Sequence, residues 1–509
     1  MGMTFKFSNS ALFGTPPFGF LTLEERLVEA DTRAAYFQTA CEELLLVNKH
    51  LEECQKHMEE RVAALERRLG LNSRTSGKPP SSDGLGKPNA ETRTKSQRGP
   101  SDRKSGGQPG HKGKTLRQTP TPDTVINHFP VVCPGCGAPL TAETAEASTA
   151  RQVIDLPPPP PPQVTEHRAH QCRCGRCDRI TRADFPDGIN APVQYGARIA
   201  GIASYLQTLH CIPEYRLGEI FSDLLGVTIA PATLTSLIWR TSDRLKPVTL
   251  AIKEALIGPQ SGVVHLDETG QRVVGKLHWT HVICSPLLSH FRVSRKRGEL
   301  LCGVSGIVIH DHWKPYFKME GVEHALCNAH HLRELQALIE IEQEPWARPM
   351  KEILLKAKTL AENMYSEGGQ KDEATIQAVF VQYDANIAEA IAYHEALPAL
   401  SSAQTGKKRR GRPKRRTGHN LALRLQNFKT EVLRFLVDPN VPFTNNEAER
   451  DLRMGKVRQK VSGCFRTLRG AEVFCILRTV VNTARKQGWS IIDTLLKPPD
   501  QLIAALRIA

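Results

Sequence analysis

Three short segments bring together residue types able to do chemistry: His265-Leu-Asp267-Glu-Thr, Ile309-His-Asp311-His-Trp and Asn445-Asn-Glu-Ala-Glu449-Arg. The first two acids follow apolar runs of strand length, Gly262 to Leu266 and Gly306 to Ile309, and the third segment reads as helix. Carboxylates at strand ends are expected to stand exposed at a sheet edge. Three that converge there form an oxygen-only site suited to Mg²⁺ or Mn²⁺. Paired ions of that kind clamp the attacking and leaving oxygens of an in-line displacement at phosphorus, so the expected chemistry is on phosphodiesters. Glu447 and Glu449 lie two residues apart and cannot both point into one site from a helix, so one of them is the ligand. Arg450, Arg453, Lys456 and Arg458 follow on the same stretch and are expected to carry a phosphate backbone past it.

Positioning such acids takes a sheet with a helix across it. Between Asp267 and Asp311, Trp279 to Cys284 and Phe291 to Ser294 are rich in β-branched and aromatic residues, as strands of an antiparallel meander are. The order strand-Asp, strand-Asp, helix-Glu is the outline of a ribonuclease-H-like catalytic domain, placed at 259–485, with a helical insertion at about 332–400 and a C-terminal tail at 486–509. Within it, Cys327-Asn-Ala-His330 begins a helix. That pair either ligates a metal or braces the helix against the active-site strand, with His331 and Arg333 approaching phosphate. Upstream, residues 190–258 read as helical. Leu217 to Leu225, a turn, and Pro231 opening a second helix fit a helix-turn-helix with Arg240 and Arg244 as contacts, or an αα-hairpin that packs on the core.

Charge points to a polyanionic partner. The chain of 509 residues has a net charge of +15. Residues 71–120 hold eleven Lys or Arg against Asp83, Glu91 and Asp102, and Lys407 to Arg416 contributes eight more with no acid, so the remainder is close to neutral. Two basic arms on an ordinary body are suited to phosphate binding by flexible segments. The 71–120 arm is rich in Gly, Pro and Ser and is expected to be disordered, as a plain linker or as a segment ordered by DNA. In the second arm, Arg410-Gly-Arg412-Pro-Lys414 looks like an AT-hook, in which the arginines enter a narrow A·T-rich minor groove; the alternative is a solvated basic loop. No stretch is apolar enough to span a bilayer and Met1 to Leu21 lacks signal-peptide form. A cytoplasmic, nucleoid-associated protein is expected.

In a reducing compartment the thirteen cysteines argue for metal ligation and free thiols. Cys133-Pro-Gly-Cys136 and Cys174-Gly-Arg-Cys177 form two knuckles suited to tetrahedral Zn²⁺, 37 residues apart, within a zinc-binding domain placed at 121–185; Cys172 is a fifth candidate. Ahead of them, residues 20–70 carry Phe37, Leu44, Leu51, Met58 and Leu65 at seven-residue spacing, with Cys41, Asn48, Gln55, Val62 and Leu69 on the partner seam. Such heptads favour a coiled coil and a homodimer or higher homo-oligomer over a helix packed on its own domain. The fold class is thus α+β and multidomain: coiled coil, zinc module, helical DNA-binding region and catalytic domain.

The chain resembles transposases of the insertion-sequence 66 family, a bacterial DDE group, over nearly its whole length. The resemblance rests on the zipper, Lys78-Pro-Pro-Ser-Ser-Asp83, Gly106-Gly-Gln-Pro-Gly-His111, both knuckles, Asp267-Glu-Thr, Cys327-x-x-His330 and, most specifically, Asn445-Asn-x-Ala-Glu449-Arg450. It implies Asp267, Asp311 and Glu449 as the catalytic, Mg²⁺-binding acids. Terminal inverted repeats and target DNA are the implied substrates, with accessory proteins encoded alongside. His312-Trp313 follow the second acid where the family usually carries Gly-Tyr. Two rivals share some of these features: a zinc-dependent DNA-binding regulator without catalysis, and a ribonuclease-H-like junction nuclease.

Overall fold

A computed structural model describes residues 22–70, 116–259, 262–299, 303–366, 369–398, 400 and 415–508. The basic arm at 71–115 and residues 401–414, with Arg410, Arg412 and Lys414, lie outside them. The chain divides into two compact units, 1–71 with 391–420, and 72–390 with 421–509. In the first, Leu23–Gly70 forms one 48-residue helix, α1. A run without Gly or Pro explains its length, since nothing interrupts the i to i−4 ladder. The heptad side chains Phe37, Leu44, Leu51 and Met58 are 58–67% exposed.

In the second unit a small antiparallel hairpin, β1 (Gln171–Arg173) and β2 (Ile180–Arg182), frames the second cysteine knuckle. Three helices follow: α2 (Ala197–Leu209), α3 (Glu214–Leu225) and α4 (Pro231–Ile257). Gly226 ends α3 in the left-handed region at φ 64°, where a side chain would be strained. Pro231 opens α4, where its missing N–H costs nothing.

The sheet runs in the order β5-β4-β3-β6-β7. Its first three strands, β3 (Val263–Val273), β4 (Lys276–Cys284) and β5 (Ser289–Ser294), are the expected antiparallel meander. Then β6 (Gly306–His310) and β7 (Val322–Leu326) add in parallel on the other side of β3. Beyond β7 lie α5 (Asn328–Ala337), α6 (Ala347–Met364), α7 (Glu373–Ala396), α8 (Thr417–Asn427) and α9 (Lys429–Val437). The chain then returns to the sheet with α10 (Asn446–Ser462) and α11 (Leu468–Gln487).

Two expectations about domains change. Leu234, Ile238, Leu245 and Ile252 of α4 share one buried cluster with Val264 and Leu266 of β3, Val308 of β6 and Leu477 of α11. The packing therefore has no break near residue 258, because α4 supplies the apolar face that covers the sheet. The segment 486–509 is no loose tail either: α12 (Ile491–Leu496) and α13 (Pro499–Ala504) bury Leu495 and Leu502 in the same cluster. Arg507 closes the end by bonding the carbonyl and side chain of Gln487.

Candidate active site

Asp267 stands in the middle of the sheet. The strand-end expectation is corrected here: β3 continues six residues past the acid because its polar residues Glu268, Thr269 and Gln271 are buried against β4 and the helices above. Val263 pairs with Ile307 and His265 with Ile309 in the parallel ladder, a register that brings Asp267 level with Asp311, the first residue after β6. The edge at which the second acid stands is real, but it is the end of β6 alone.

Both carboxyls resist ionisation. Burial first, then the charges of Glu268, Asp311 and Glu449, push Asp267 well above the usual carboxylate range. Burial and Glu268 push Asp311 up to about 7, although the Trp313 N–H, which donates to it at 2.9 Å, and the Arg297 guanidinium pull the other way. Crowded, desolvated acids of this kind gain most from a divalent cation, which removes the repulsion that holds their protons. Oxygen-only donors at this point fit Mg²⁺ or Mn²⁺. Sequence reasoning missed the supports. Glu268, with its side chain 1% exposed, pairs with Arg297 Nη2 at 2.6 Å and accepts from the Tyr316 hydroxyl. Arg297 lies 4.0 Å from Asp311 Oδ2 and stacks on Trp313 and Trp279, with its guanidinium 4.0 and 5.1 Å from the ring centroids. The Asp-Glu pair at 267–268 was the available signal, since a strand turns neighbouring side chains to opposite faces.

Glu449 lies in the first turn of α10, which packs Ala448 and Leu452 against Val282, Cys284 and Phe291 of the sheet. Asn445, the residue before the helix, pins that turn in place. Its side chain donates to the Leu266 carbonyl at 2.7 Å and meets His265 Nδ1 at 2.8 Å, while its backbone N–H donates to Cys327 Sγ at 3.1 Å. The first Asn of the 445–450 segment thus ties the helix to the residues flanking Asp267. Glu447 points elsewhere, to Lys486 at 3.1 Å and to Arg450. Glu449 meets Arg333 Nη2 at 3.5 Å and lies 4.0 Å from His330 Nδ1.

The basic residues divide. Arg450 and Arg453 are exposed on α10. Lys456 instead donates to the Gly270 carbonyl at 3.0 Å, and Arg458 lies over the Phe465 ring at 3.6 Å, so both are turned inward by the β3–α10 packing. Arg244 bonds the carbonyls of Leu495 and Lys497, which occupies the guanidinium proposed for DNA. His331 does not approach phosphate: it is 2% exposed and bonded to Asn328 Oδ1 at 3.0 Å.

Each cysteine knuckle forms a tight turn. Cys133 and Ala138 are joined by a 2.9 Å backbone hydrogen bond and Cys174 and Arg179 by one of 2.8 Å, with Gly137 and Asp178 at φ 74° and 60° making the turns. The amides of Gly135 and Cys136 lower the Cys133 thiol below its usual range, and those of Arg176 and Cys177 do the same for Cys174, as thiolate ligation requires. The four sulfurs are not gathered within 4.8 Å of one another; among the described residues the set that close is Cys327, His330 and Glu449.

A family model for the transposase IS66 family matches residues 192–473, more than half of the chain, from α2 through both acids and α10. The chain belongs to the IS66 transposase family. A model for the zinc-finger binding domain of transposase IS66 matches residues 130–178, which span both knuckles, and one for a family of unknown function matches 28–117. No curated protein matches the chain. This IS66 transposase therefore carries a zinc-finger domain and has DNA as its partner. Among the described residues, no helix is long and apolar enough to cross a membrane. Cys174→Ser is expected to lose zinc and DNA binding together, because four thiolates fold the module only when metalled. Elemental analysis that finds the same zinc content in this variant and in Cys133→Ser as in wild type would remove the four-cysteine assignment.

Proposed function

We propose that this IS66 transposase cuts DNA at the ends of its element and joins the freed 3′-hydroxyl to a target phosphodiester, with Asp267, Asp311 and Glu449 as the metal-binding catalytic acids. The observation that carries it is the register that sets Asp267 level with Asp311; Glu449 lies grouped with Cys327 and His330 rather than with the two aspartates, and its charge adds to the upward push on Asp267. Bound Mg²⁺ or Mn²⁺ would activate the attacking oxygen and stabilise the leaving one. The chain itself does the holding: Arg297 and the Trp313 amide orient Asp311, Asn445 fixes the turn that carries Glu449, and exposed Arg450 and Arg453 offer charge to the backbone of the bound strand. No Ser or Tyr nucleophile is required.

The strand order β5-β4-β3-β6-β7, with three antiparallel and two parallel strands, supports a ribonuclease-H-like catalytic domain interrupted by the helices between β7 and α10. The long exposed seam of α1 supports pairing with a second copy of the chain. Terminal inverted repeats as substrate, minor-groove insertion of Arg410 and Arg412, nucleoid association and accessory proteins complete the proposal. Duplex carrying an element end is expected to acquire a new 3′-hydroxyl at that end with Mg²⁺ and none with EDTA. End DNA bound yet uncut under both conditions would favour a DNA-binding regulator, and cutting at branched junctions without regard to the ends would favour a junction nuclease.

A further inference from the structure

Glu449 faces two ways. One carboxylate oxygen, Oε2, meets Arg333. The other, Oε1, is buried with no hydrogen-bond partner, 4.0 Å from His330 Nδ1, which is equally buried and equally without one. At that distance neither satisfies the other, since a hydrogen bond needs about 3 Å. Two ligands that share one ion, each at about 2.0–2.2 Å, are held about 3–4 Å apart. Cys327 Sγ supplies a third donor, and ligand atoms of all three residues lie within 4.8 Å of one another.

Local structure explains the cluster. Cys327 is the N-cap of α5 and His330 lies in its first turn, a spacing that sets both on one side of the helix. The sulfur accepts the Asn445 N–H at 3.1 Å; burial and the Glu449 charge nevertheless push the thiol up to about 12, so an ion bound there must displace its proton. The same Asn445 opens the helix that brings Glu449 across the sheet. Arg333 is the unfavourable neighbour of a cation here, and it is occupied by the opposite oxygen of the carboxylate.

We propose that Cys327, His330 and Glu449 form a second metal site, selective for Zn²⁺ and related ions, which shares Glu449 with the acids of the active site. Thiolate, imidazole and carboxylate suit Zn²⁺, whereas Mg²⁺ avoids sulfur and nitrogen. Three protein ligands leave the fourth position of a tetrahedron open to water or a phosphate oxygen. An ion bound there fixes the carboxylate at Cys327 and His330, where the structure already has it, and keeps it from an ion held by Asp267 and Asp311, so zinc antagonises the Mg²⁺-dependent reaction. Only this antagonism rests on the proposed catalytic role of the three acids; the binding site does not.

Full-length protein equilibrated with Zn²⁺ under excess Mg²⁺ is expected to hold about one more zinc per chain than Cys327→Ala or His330→Ala, while both variants keep the zinc of the cysteine knuckles. Cobalt in place of zinc, in a Cys133→Ser, Cys174→Ser background, should show a thiolate charge-transfer band that disappears in Cys327→Ala. Because Cys327 is buried and its loss threatens folding, the half-buried His330 carries the zinc count if that variant fails. Equal zinc in wild type and His330→Ala, without a cobalt–thiolate band, overturns the site. In the nicking assay with Mg²⁺, the zinc concentration for half-inhibition should rise about 10-fold in His330→Ala. An unchanged value, with the zinc count altered as expected, overturns the antagonism alone. Wild type that never nicks refutes the catalytic proposal and leaves the metal count to decide the site.

Discussion

Asp267→Ala, Asp311→Ala and Glu449→Ala are each expected to bind element-end DNA with near wild-type affinity and to nick it on the order of 10³-fold more slowly in Mg²⁺, a loss comparable to removing a main source of transition-state charge stabilisation. Binding is expected to survive because it is assigned to groups other than the three carboxylates: the zinc module, the basic arms and the exposed Arg450 and Arg453. Stability separates this outcome from misfolding. Asp267 is raised well above the usual carboxylate range by burial and by three neighbouring acids, and Asp311 up to about 7. A group raised in the folded chain favours folding once it is protonated and opposes it as pH climbs through the folded value. Replacing Asp267 with the neutral, isosteric Asn removes that penalty. Asp267→Asn should therefore melt no lower than wild type at pH 8, and the benefit should shrink toward pH 5, while nicking is lost at both. A variant that nicks normally would sink the assignment of that acid, and three such variants would sink the catalytic proposal as a whole.

Asp451→Ala should be the most destabilising single change near the site, by about 3 kcal/mol or more, because it removes one of the two carboxylates of the buried Lys486 and leaves the buried Ser289 and Asn482 donors without their acceptor. Asp451 accepts from Ser289 Oγ at 2.6 Å and from Asn482 Nδ2 at 3.1 Å, and pairs with Lys486 Nζ at 3.1 Å. Lys486, with its side chain 10% exposed, also bonds the carbonyls of Ser285 and Leu288 and pairs with Glu447. One lysine thus ties α11 to α10 and to the β4–β5 turn. Glu447→Ala leaves Asp451 in place and should cost only about 1 kcal/mol, with nicking retained. Adding Lys486→Met to Asp451→Leu should recover much of the loss, since a packed apolar pair replaces the ions without stranding either. Chemical denaturation of wild type and the four variants measures all of this. Asp451→Ala that unfolds together with wild type would show that Lys486 finds water instead.

Some of this protein was determined by sequence alone. The apolar runs before Asp267 and Asp311 became β3 and β6, the β-branched stretches between them became β4 and β5, and Pro231 opened α4. These are local outcomes: apolar period, proline and glycine act within a few residues, whatever the rest of the chain does. The two-residue spacing of Glu447 and Glu449 likewise required opposite directions, about 200° apart on a helix.

Which partner each glutamate meets was decided by the tertiary structure, as Lys486 and His330 lie far from both in sequence. The same holds for Asp267 in mid-strand, since Thr269 and Gln271 are strand residues only because β4 and the overlying helices bury them. Arg458 and Lys456 look like any other basic residues until an aromatic ring and a carbonyl from elsewhere in the fold receive them. The terminal segment looks like a tail until Leu495 and Leu502 find the core under α2 and α4. Burial is a property of the surroundings, and a charged or polar side chain carries no local mark of whether they will be water or protein.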